Sequence, residues 1–280
     1  MERVMGLLDL QRNETRLQEL TARRTIASLP FAGRYRIIDF PLSSMVNSGI
    51  RNVGVLLPEQ SRSILDHLRS GKDWGLARHH KGLFYLPPVP AENGQIEGDL
   101  QNVYSNLDFI ENSNENYVIF ARVNAVYNID FSSVLRFHQN TGADITVVVS
   151  SASCDDTADS IVIKKAANGL AEDISLRPSV AKGELRSLGV YLMEKKCFTR
   201  LIREAFEHGG KDFRRDVIVP ALSRHTIYAW EHTGFAARIC SIRGFYKANM
   251  AMLRPAIWEE MFRREGAAVI TKVKDMPPVR

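Results

Sequence analysis

The sequence predicts an α/β fold with a mixed, mainly parallel sheet flanked by helices, and three observations predict it. Short apolar runs such as Arg3–Leu10 and Asn52–Leu57 have the composition of buried strands. Segments with apolar residues at helical spacing separate these runs, and the order strand, loop, helix, strand is the repeating unit of a parallel sheet. With 280 residues and 45% hydrophobic content, the chain can bury one large α/β core or two small ones.

The segment Pro30–Arg51 organises the first half of the chain. Gly33 suits a tight turn, because glycine adopts backbone angles that other residues avoid. Apolar residues then recur at helical spacing, so we expect a helix that begins near Asp39–Pro41 and ends at Asn47–Gly49, where glycine favours a left-handed cap. A buried strand at Asn52–Leu57 follows directly.

Helices and strands alternate through the rest of the first half. The predicted helices are Ser61–Ser70, Gly98–Glu111 and Phe131–Asn140, and the predicted strands are Arg3–Leu10, Tyr117–Ala121 and Asp144–Ser150. Ile64, Leu65 and Leu68 are predicted to form the buried face of the first of these helices. Residues 71–95 have few periodic positions and are expected to be an irregular loop, of a length that is usually functional or mobile.

The second half has a different pattern. Three strands separated by turns, Ser160–Lys164, Leu170–Leu176 and Leu185–Met193, predict an antiparallel patch added to the parallel sheet. Helices are expected at Lys196–His208, Asp212–Leu222, Gly244–Leu253 and Pro255–Phe262, and Thr226–Trp230 and Gly234–Ile239 are expected to be a pair of short strands. Residues 1–265 are predicted to form the domain, and the polar tail 266–280 is predicted to be a linker.

Composition excludes several classes of protein. The net charge of +5 comes from interspersed signs, and no basic stripe alternates with aromatic residues, so nucleic-acid binding is not expected. No run approaches the roughly 20 apolar residues of a spanning helix, so we expect no membrane partner. Cys154, Cys197 and Cys240 are far apart, which favours free thiols in a reducing cytoplasm over a disulfide framework or a zinc site.

The loop after the first strand, Leu10–Arg16, is the first place where a ligand would bind in a parallel sheet. A phosphate-binding loop needs glycines there, so that backbone amides can approach the anion. This loop has none, and Glu14 adds a negative charge. Its own residues therefore disfavour nucleotide binding.

Six segments carry a family resemblance that covers most of the chain. In order they are TRLQELT, PFAGRYRIIDFPLSSMVNSGIR, GDLQNVYSNLDFI, SLGVYLM, KDFRRDVIVPAL and GFYKANMAML, and together they resemble the bacterial ADP-glucose pyrophosphorylases (glucose-1-phosphate adenylyltransferases). The resemblance implies the Rossmann-like fold of sugar-nucleotide pyrophosphorylases, followed by a left-handed β-helix that would begin where this chain stops. Active members make ADP-glucose and pyrophosphate from ATP and glucose 1-phosphate, with magnesium, for glycogen or starch synthesis.

Most of the family's active-site residues are replaced in this chain. Of its glycine-rich motif, G-G-G-x-G-T-R-L, only the last three residues remain, among them Arg16. The metal-binding aspartate of G-D-H-I-Y corresponds to Asn124, and that of W-R-D-V-G-T corresponds to Arg238. The lysine of the sugar-phosphate motif corresponds to Arg177. With Ser187 and Asp212, which fall on other sugar-site positions, Arg177 could form a vestigial glucose 1-phosphate pocket.

The changes at positions 124 and 238 oppose metal binding. Magnesium requires hard oxygen ligands, usually one or two carboxylates plus phosphates. Two acids replaced by an amide and a guanidinium shift the local charge by roughly three units. We therefore expect no catalytic residues, no metal site and no cofactor. With these losses the chain resembles the GlgD-type subunit, which pairs with a catalytic homologue in a hetero-oligomer and modulates it.

Several alternatives remain open at this point. Arg238 could bind a phosphate in place of the metal, or form a salt bridge. A local cationic cluster could bind an anionic effector such as a sugar phosphate, or be solvated charge or a subunit contact; its members are Arg12, Arg16, Arg23, Arg24, Arg34 and Arg36. The protein as a whole could instead be a divergent active nucleotidyltransferase that binds its metal elsewhere, or a free-standing sugar-phosphate sensor.

Overall fold

A computed structural model describes residues 3–11, 15–77, 81–90, 98–151, 160–177 and 183–272. Its strands are β1 Val4–Asp9, β2 Pro30–Phe31, β3 Tyr35–Arg36, β4 Val53–Leu56, β5 Leu83–Leu86, β6 Tyr117–Arg122, β7 Ala125–Tyr127, β8 Ile145–Ser150, β9 Ser160–Lys165, β10 Ala171–Arg177, β11 Leu185–Glu194, β12 Ile227–Glu231 and β13 Ala236–Arg238. Its α-helices are α1 Asp39–Asn47, α2 Arg62–Leu68, α3 Asp99–Ser105, α4 Leu107–Glu111, α5 Phe131–Thr141, α6 Lys195–Glu207, α7 Val219–Ala221, α8 Ile242–Ala251 and α9 Pro255–Phe262. Short 3₁₀-helices lie at Thr15–Leu20, Ile26–Ser28 and Lys72–Trp74, and a π-helix lies at Phe213–Ile218.

One large sheet forms the centre of the domain. Its strand order is β10-β9-β11-β6-β1-β4-β5, and β8 and β12 extend it from β11. β1 is parallel to β4 and β6, and β12 is parallel to β8, whereas β11 is antiparallel to β6, β8 and β9. The predicted mixed, mainly parallel sheet with an antiparallel patch is confirmed.

Apolar clusters pack on both faces of this sheet. One contains Phe40 of α1 together with residues of α2 and α5, and the other contains Phe120, Phe198 and Phe213, which join β6 to α6 and the π-helix. The predicted helix over Asp39–Asn47 is confirmed as α1, and it is almost entirely buried. Gly49, with φ 83°, ends it in the left-handed region as expected.

Two predictions about side-chain packing and loops were wrong. Leu65 of α2 is exposed, whereas Ile64 and Leu68 are buried as expected; His67 is buried as well, and its Nε2 lies 2.6 Å from Asp39 Oδ1. The predicted irregular stretch contains the edge strand β5, which pairs with β4 in parallel. Its four residues, LFYL, are all apolar, but only Leu86 is buried, because an edge strand has a neighbouring strand on one side only.

Three predictions about element type or pairing also need correction. The helix expected at Gly98–Glu111 is divided at Asn106 into α3 and α4. The helix expected at Asp212–Leu222 is mostly the π-helix, with α7 at its end. β12 and β13 form as strands but do not pair with each other, because β12 adds to β8 in the large sheet and β13 pairs with β7.

Residues after α9 return along the domain beside α1. Asn47 Nδ2 donates to the Ala268 carbonyl over 2.9 Å, and the Ile270 amide donates to Ser43 Oγ over 2.8 Å. Residues 266–272 of the predicted linker therefore include a segment packed on the domain, and residues 273–280 lie outside the described ranges. Across the described ranges, no helix has the length and apolar character needed to cross a bilayer.

Candidate functional site

The carboxyl ends of β1 and β6 meet at one edge of the sheet, since the two strands are parallel and Asp9 is in register with Arg122. Asn124 follows β6 directly, and the antiparallel β11 brings Ser187 and Gly189 to the same edge. In open parallel sheets ligands bind beyond this edge. Residues that bind a ligand are therefore expected at this edge of the sheet.

A buried charge network centred on Arg122 occupies the edge. The Arg122 guanidinium lies 3.3 Å from Asp9 and also forms an ion pair with Asp99, the first residue of α3, and all three side chains are buried. Asp99 Oδ1 also accepts a hydrogen bond from the Phe213 amide. Burial raises the pKa of Asp9, and the attraction of Arg122 only partly opposes this effect. The buried carboxylates of Asp9 and Asp99 therefore depend on the Arg122 guanidinium to balance their negative charge.

Two further arginines enter from other elements. Arg214 belongs to the π-helix, whose first turn is capped by Asp212, and its side chain pairs with the Asp212 carboxylate at 3.2 Å. Arg238 is the last residue of β13, and its Nη1 lies 2.5 Å from Ser160 Oγ at the start of β9. Both arginine side chains are buried. The network thus holds three cations in place with protein partners.

The β7–β13 pairing places Asn124 and Arg238 at the same cavity. Arg238 is in register with Ala125, and the Asn124 carbonyl accepts a hydrogen bond from the Ile239 amide at 2.7 Å. The residues described around the cavity are Arg122, Asn124, Ile161, Ser187, Gly189, Tyr191, Arg214 and Arg238. Its volume is about 10 Å³, which is roughly the space that one water molecule needs.

Gly189 allows Arg122 to fill this space. The register of β11 against β8 shifts between Ser187 and Val190, and Gly189 in this irregular stretch has φ 76°. A Cβ at position 189 would lie 3.1 Å from the Arg122 Cβ, which is tighter than an ordinary contact. The absence of a side chain there therefore lets the arginine stem pass beside β11.

The donor set around this cavity does not fit a magnesium ion. Among the described residues that line it, none is a carboxylate and three are arginines. The nearby acids Asp9, Asp99 and Asp212 already pair with arginines. Magnesium needs hard anionic oxygens, and a divalent cation beside three guanidinium groups is repelled strongly in a closed site.

Comparison with known proteins assigns the chain to a family. A family model described as "Nucleotidyl transferase" matches residues 13–254. The chain belongs to the nucleotidyl transferase family. It is 32% identical over 278 residues to the glycogen biosynthesis protein GlgD of Bacillus subtilis, with 99% of this chain and 71% of that protein covered. It is 30% identical over 245 residues to the glucose-1-phosphate adenylyltransferase of Clostridium kluyveri, with 86% of this chain and 64% of that protein covered.

Within this nucleotidyl transferase domain, the predicted site residues divide into two groups. Asn124, Arg238 and Ser187 line the cavity, and Asp212 reaches it through Arg214. Arg177 does not line it: on β10 its guanidinium pairs with Glu184 at 3.3 Å and with Asp173 at 3.8 Å. The predicted vestigial sugar-phosphate set is therefore not gathered around this cavity, and its function stays a prediction.

The predicted cationic cluster lies partly on the surface of the domain. Arg16, Arg23, Arg24 and Arg34 are exposed, whereas Arg36 is half-buried and its Nη1 donates to the Ser63 carbonyl at 2.6 Å; Arg12 lies outside the described residues. Burial lowers the pKa of Arg36, the charge of Asp39 partly opposes this shift, and the charge of Arg24 adds to it. Effector binding at this cluster stays a prediction.

The centre of the network, Arg122 with Asp9 and Asp99, is not marked by any local pattern in the sequence. In the sequence, Arg122 is the polar residue that follows an apolar strand, and Asp99 is an acidic residue at the start of a predicted helix, so neither indicates a site. Asp9 at the end of β1 is the signal that could have been used, because an acid at the carboxyl end of a central strand faces the ligand edge. Its arginine partners are distant in sequence and show no shared spacing.

Proposed function

We propose that this protein is a subunit of a glucose-1-phosphate adenylyltransferase in glycogen biosynthesis, that it does not catalyse the reaction by itself, and that it modulates a catalytic homologue. Two similarities support the glycogen pathway: one relative is named a glycogen biosynthesis protein and the other a glucose-1-phosphate adenylyltransferase. We place the protein in the cytoplasm, as its widely spaced cysteines predict.

The arginine-filled cavity is the observation that carries the catalytic part of the proposal. Transfer of a nucleotidyl group requires the charge that develops on the phosphates to be neutralised, which active relatives achieve with a divalent cation. Here three arginines stand at the corresponding edge of the sheet, and the space between them is about 10 Å³. This is roughly the space for one water molecule, and Arg122, Arg214 and Arg238 already have carboxylate or hydroxyl partners, so we infer that the arginines stabilise the fold and do not bind substrate.

The contacts of Arg238 support the same interpretation. Its guanidinium bonds to Ser160 and is buried, so the side chain already has a protein partner where a phosphate would otherwise be needed. Moving it toward a substrate would leave the Ser160 hydroxyl buried without that partner, which has a cost of about 1–3 kcal/mol. A salt-bridge or hydrogen-bonding function for Arg238 is therefore favoured over phosphate binding.

An enzyme assay with three samples tests the proposal: this protein alone, the catalytic homologue from the same organism alone, and the two together. ADP-glucose formation is measured from ATP, glucose 1-phosphate and magnesium. We expect this protein alone to give the rate of the protein-free blank, and the mixture to differ from the homologue alone in kcat, KM or response to a sugar-phosphate effector. Turnover by this protein alone would establish the divergent active enzyme instead. A mixture that equals the homologue alone would refute the modulating function.

A further inference from the structure

A second cavity lies at the amino ends of the parallel strands, at the edge of the sheet opposite the arginines. Asn52 directly precedes β4, Glu115 lies two residues before β6, and Phe84 belongs to β5. The cavity volume is about 290 Å³, close to the lower limit for sites that hold small ligands. The described residues around it include an asparagine, a lysine, two phenylalanines and two acids, which are Asn52, Lys81, Phe84, Phe109, Asp108 and Glu115.

Glu115 brings a buried carboxylate to this cavity, since its side chain is only 2% exposed. Its Oε2 accepts a hydrogen bond from Asn52 Nδ2 over 2.9 Å, and its Oε1 lies 3.1 Å from Lys81 Nζ. The Lys81 side chain is 42% exposed, and because a lysine ammonium is strongly hydrated on a flexible stem, it can return to water. The carboxylate is therefore fixed, whereas the cation beside it is exchangeable.

Asn52 supplies a buried acceptor that lacks a partner. The residue is 8% exposed, and no donor in the described part of the chain reaches its Oδ1. The carboxylate of Glu115 can only accept, so the amide of Asn52 must turn its NH₂ group toward Glu115 and its oxygen away. Buried acceptors without a hydrogen bond are rare in folded proteins because they are costly. Asn52 and Glu115 together therefore lack a donor, and a primary ammonium carries three.

The remaining lining also suits a cation with an apolar body. The Phe84 ring is exposed at 38%, and its centroid lies 5.1 Å from that of Phe109. Aromatic faces attract cations and offer apolar surface. Asp108, exposed at the start of α4, adds a second negative charge. Among the described residues around the cavity, two are acids and one is a base, so the charge balance is negative.

We propose that this cavity binds a small organic cation, a primary ammonium attached to an aromatic or aliphatic body. The ammonium replaces Lys81 at Glu115 Oε1 and donates to Asn52 Oδ1, while the body of the ligand lies against Phe84. A metal ion suits the cavity less well, because no group of three metal-ligating side chains gathers in the described ranges. The cavity is separate from the arginine network, so this inference does not depend on the proposed function.

Calorimetric titration at pH 7 with 2-phenylethylamine tests the proposal, with 2-phenylethanol as the neutral probe of similar shape and phenylacetate as the anionic one. We expect the amine to bind with a dissociation constant below about 1 mM and the alcohol at least about 10-fold more weakly. Glu115→Gln should weaken amine binding at least about 10-fold, because the amide keeps the shape but loses the charge. The matched control is Glu59→Gln, an exposed acid beyond the carboxyl end of β4, and should change it less than about 2-fold.

Lys81→Met gives an effect of the opposite sign, which loss of the fold cannot imitate. Removing the competing ammonium should tighten amine binding at least about 3-fold. Thermal unfolding of each variant checks that the fold is retained. Absence of amine binding up to about 10 mM in both the wild type and Lys81→Met would overturn the proposal. Weaker amine binding in Lys81→Met, equal amine binding in Glu115→Gln and the wild type, or phenylacetate binding that Lys81→Met abolishes would overturn it as well.

Discussion

Replacement of Arg122 tests whether the arginine network holds the ligand edge of the domain together. In Arg122→Met the apolar stem is kept but the guanidinium is lost, so Asp9 and Asp99 remain buried without their cation. At 3.3 Å and an effective dielectric constant of 20, the attraction between Arg122 and Asp9 alone is about 5 kcal/mol. Because part of that attraction offsets the burial of the charges, we expect a net loss of about 3–5 kcal/mol in the free energy of unfolding.

Urea unfolding at pH 7, followed by the fluorescence of the three tryptophans, measures this loss. The control is Arg177→Met, which removes a half-exposed arginine with two carboxylate partners and is expected to lose less than about 1 kcal/mol. A loss for Arg122→Met below about 1 kcal/mol, or equal to that of the control, would refute the reasoning.

The same variant has an expected pH dependence. Burial raises the pKa of Asp9 even in the presence of Arg122, and removal of the cation raises it further. A carboxyl group whose pKa is higher in the folded state binds protons there first, so it favours folding at low pH and this contribution is lost as the pH rises through the raised value. The destabilisation by Arg122→Met is therefore expected to become smaller as the pH falls from 7 toward 4.

Two further predictions concern the rest of the fold. His138 is buried with Nδ1 2.8 Å from Thr146 Oγ1, and burial lowers its pKa to about 4, so the unfolded state takes up a proton below pH 6.5 that the folded state does not. The free energy of unfolding should therefore fall by up to about 3 kcal/mol between pH 6.5 and 4. In His138→Gln, the free energy of unfolding measured with urea should depend less steeply on pH over this range. The same pH dependence in the variant and the wild type would contradict the lowered pKa of His138. Gly98 precedes α3 with φ 95°, and a Cβ there would collide with the Lys211 carbonyl oxygen. Gly98→Ala is expected to lower the free energy of unfolding by at least about 2 kcal/mol. The control, Gly142→Ala, is expected to lower it by only about 1 kcal/mol, because the added Cβ contacts no other atom and only the strain of a positive φ remains.

Local patterns predicted the elements whose partners are close in sequence or whose runs are wholly apolar. α1, β4, β6 and β8 follow from apolar runs and from Gly49, because these elements are buried on all sides or end at a glycine. The edge strand β5 was missed because its apolar run, LFYL, is only four residues long and stands in a stretch with few periodic positions.

Long-range pairing explains the remaining differences. β12 and β13 were expected as a pair of short strands, and each pairs directly with a strand that lies more than 70 residues earlier in the chain, β8 and β7 respectively. The site shows the same effect. Asn124 and Arg238 were identified from the family resemblance, and the β7–β13 pairing brings them to one cavity. Arg122, Arg214 and their acids come from separate elements, so no local spacing marks them as a group.

The rate of ADP-glucose formation by this protein alone, at saturating ATP, glucose 1-phosphate and magnesium, tests the central claim most directly. The arginine-filled cavity predicts a rate indistinguishable from the protein-free blank at every magnesium concentration. A magnesium-dependent rate above the blank that Asn124→Ala abolishes would contradict it, because it would place a working metal site where the structure holds three arginines.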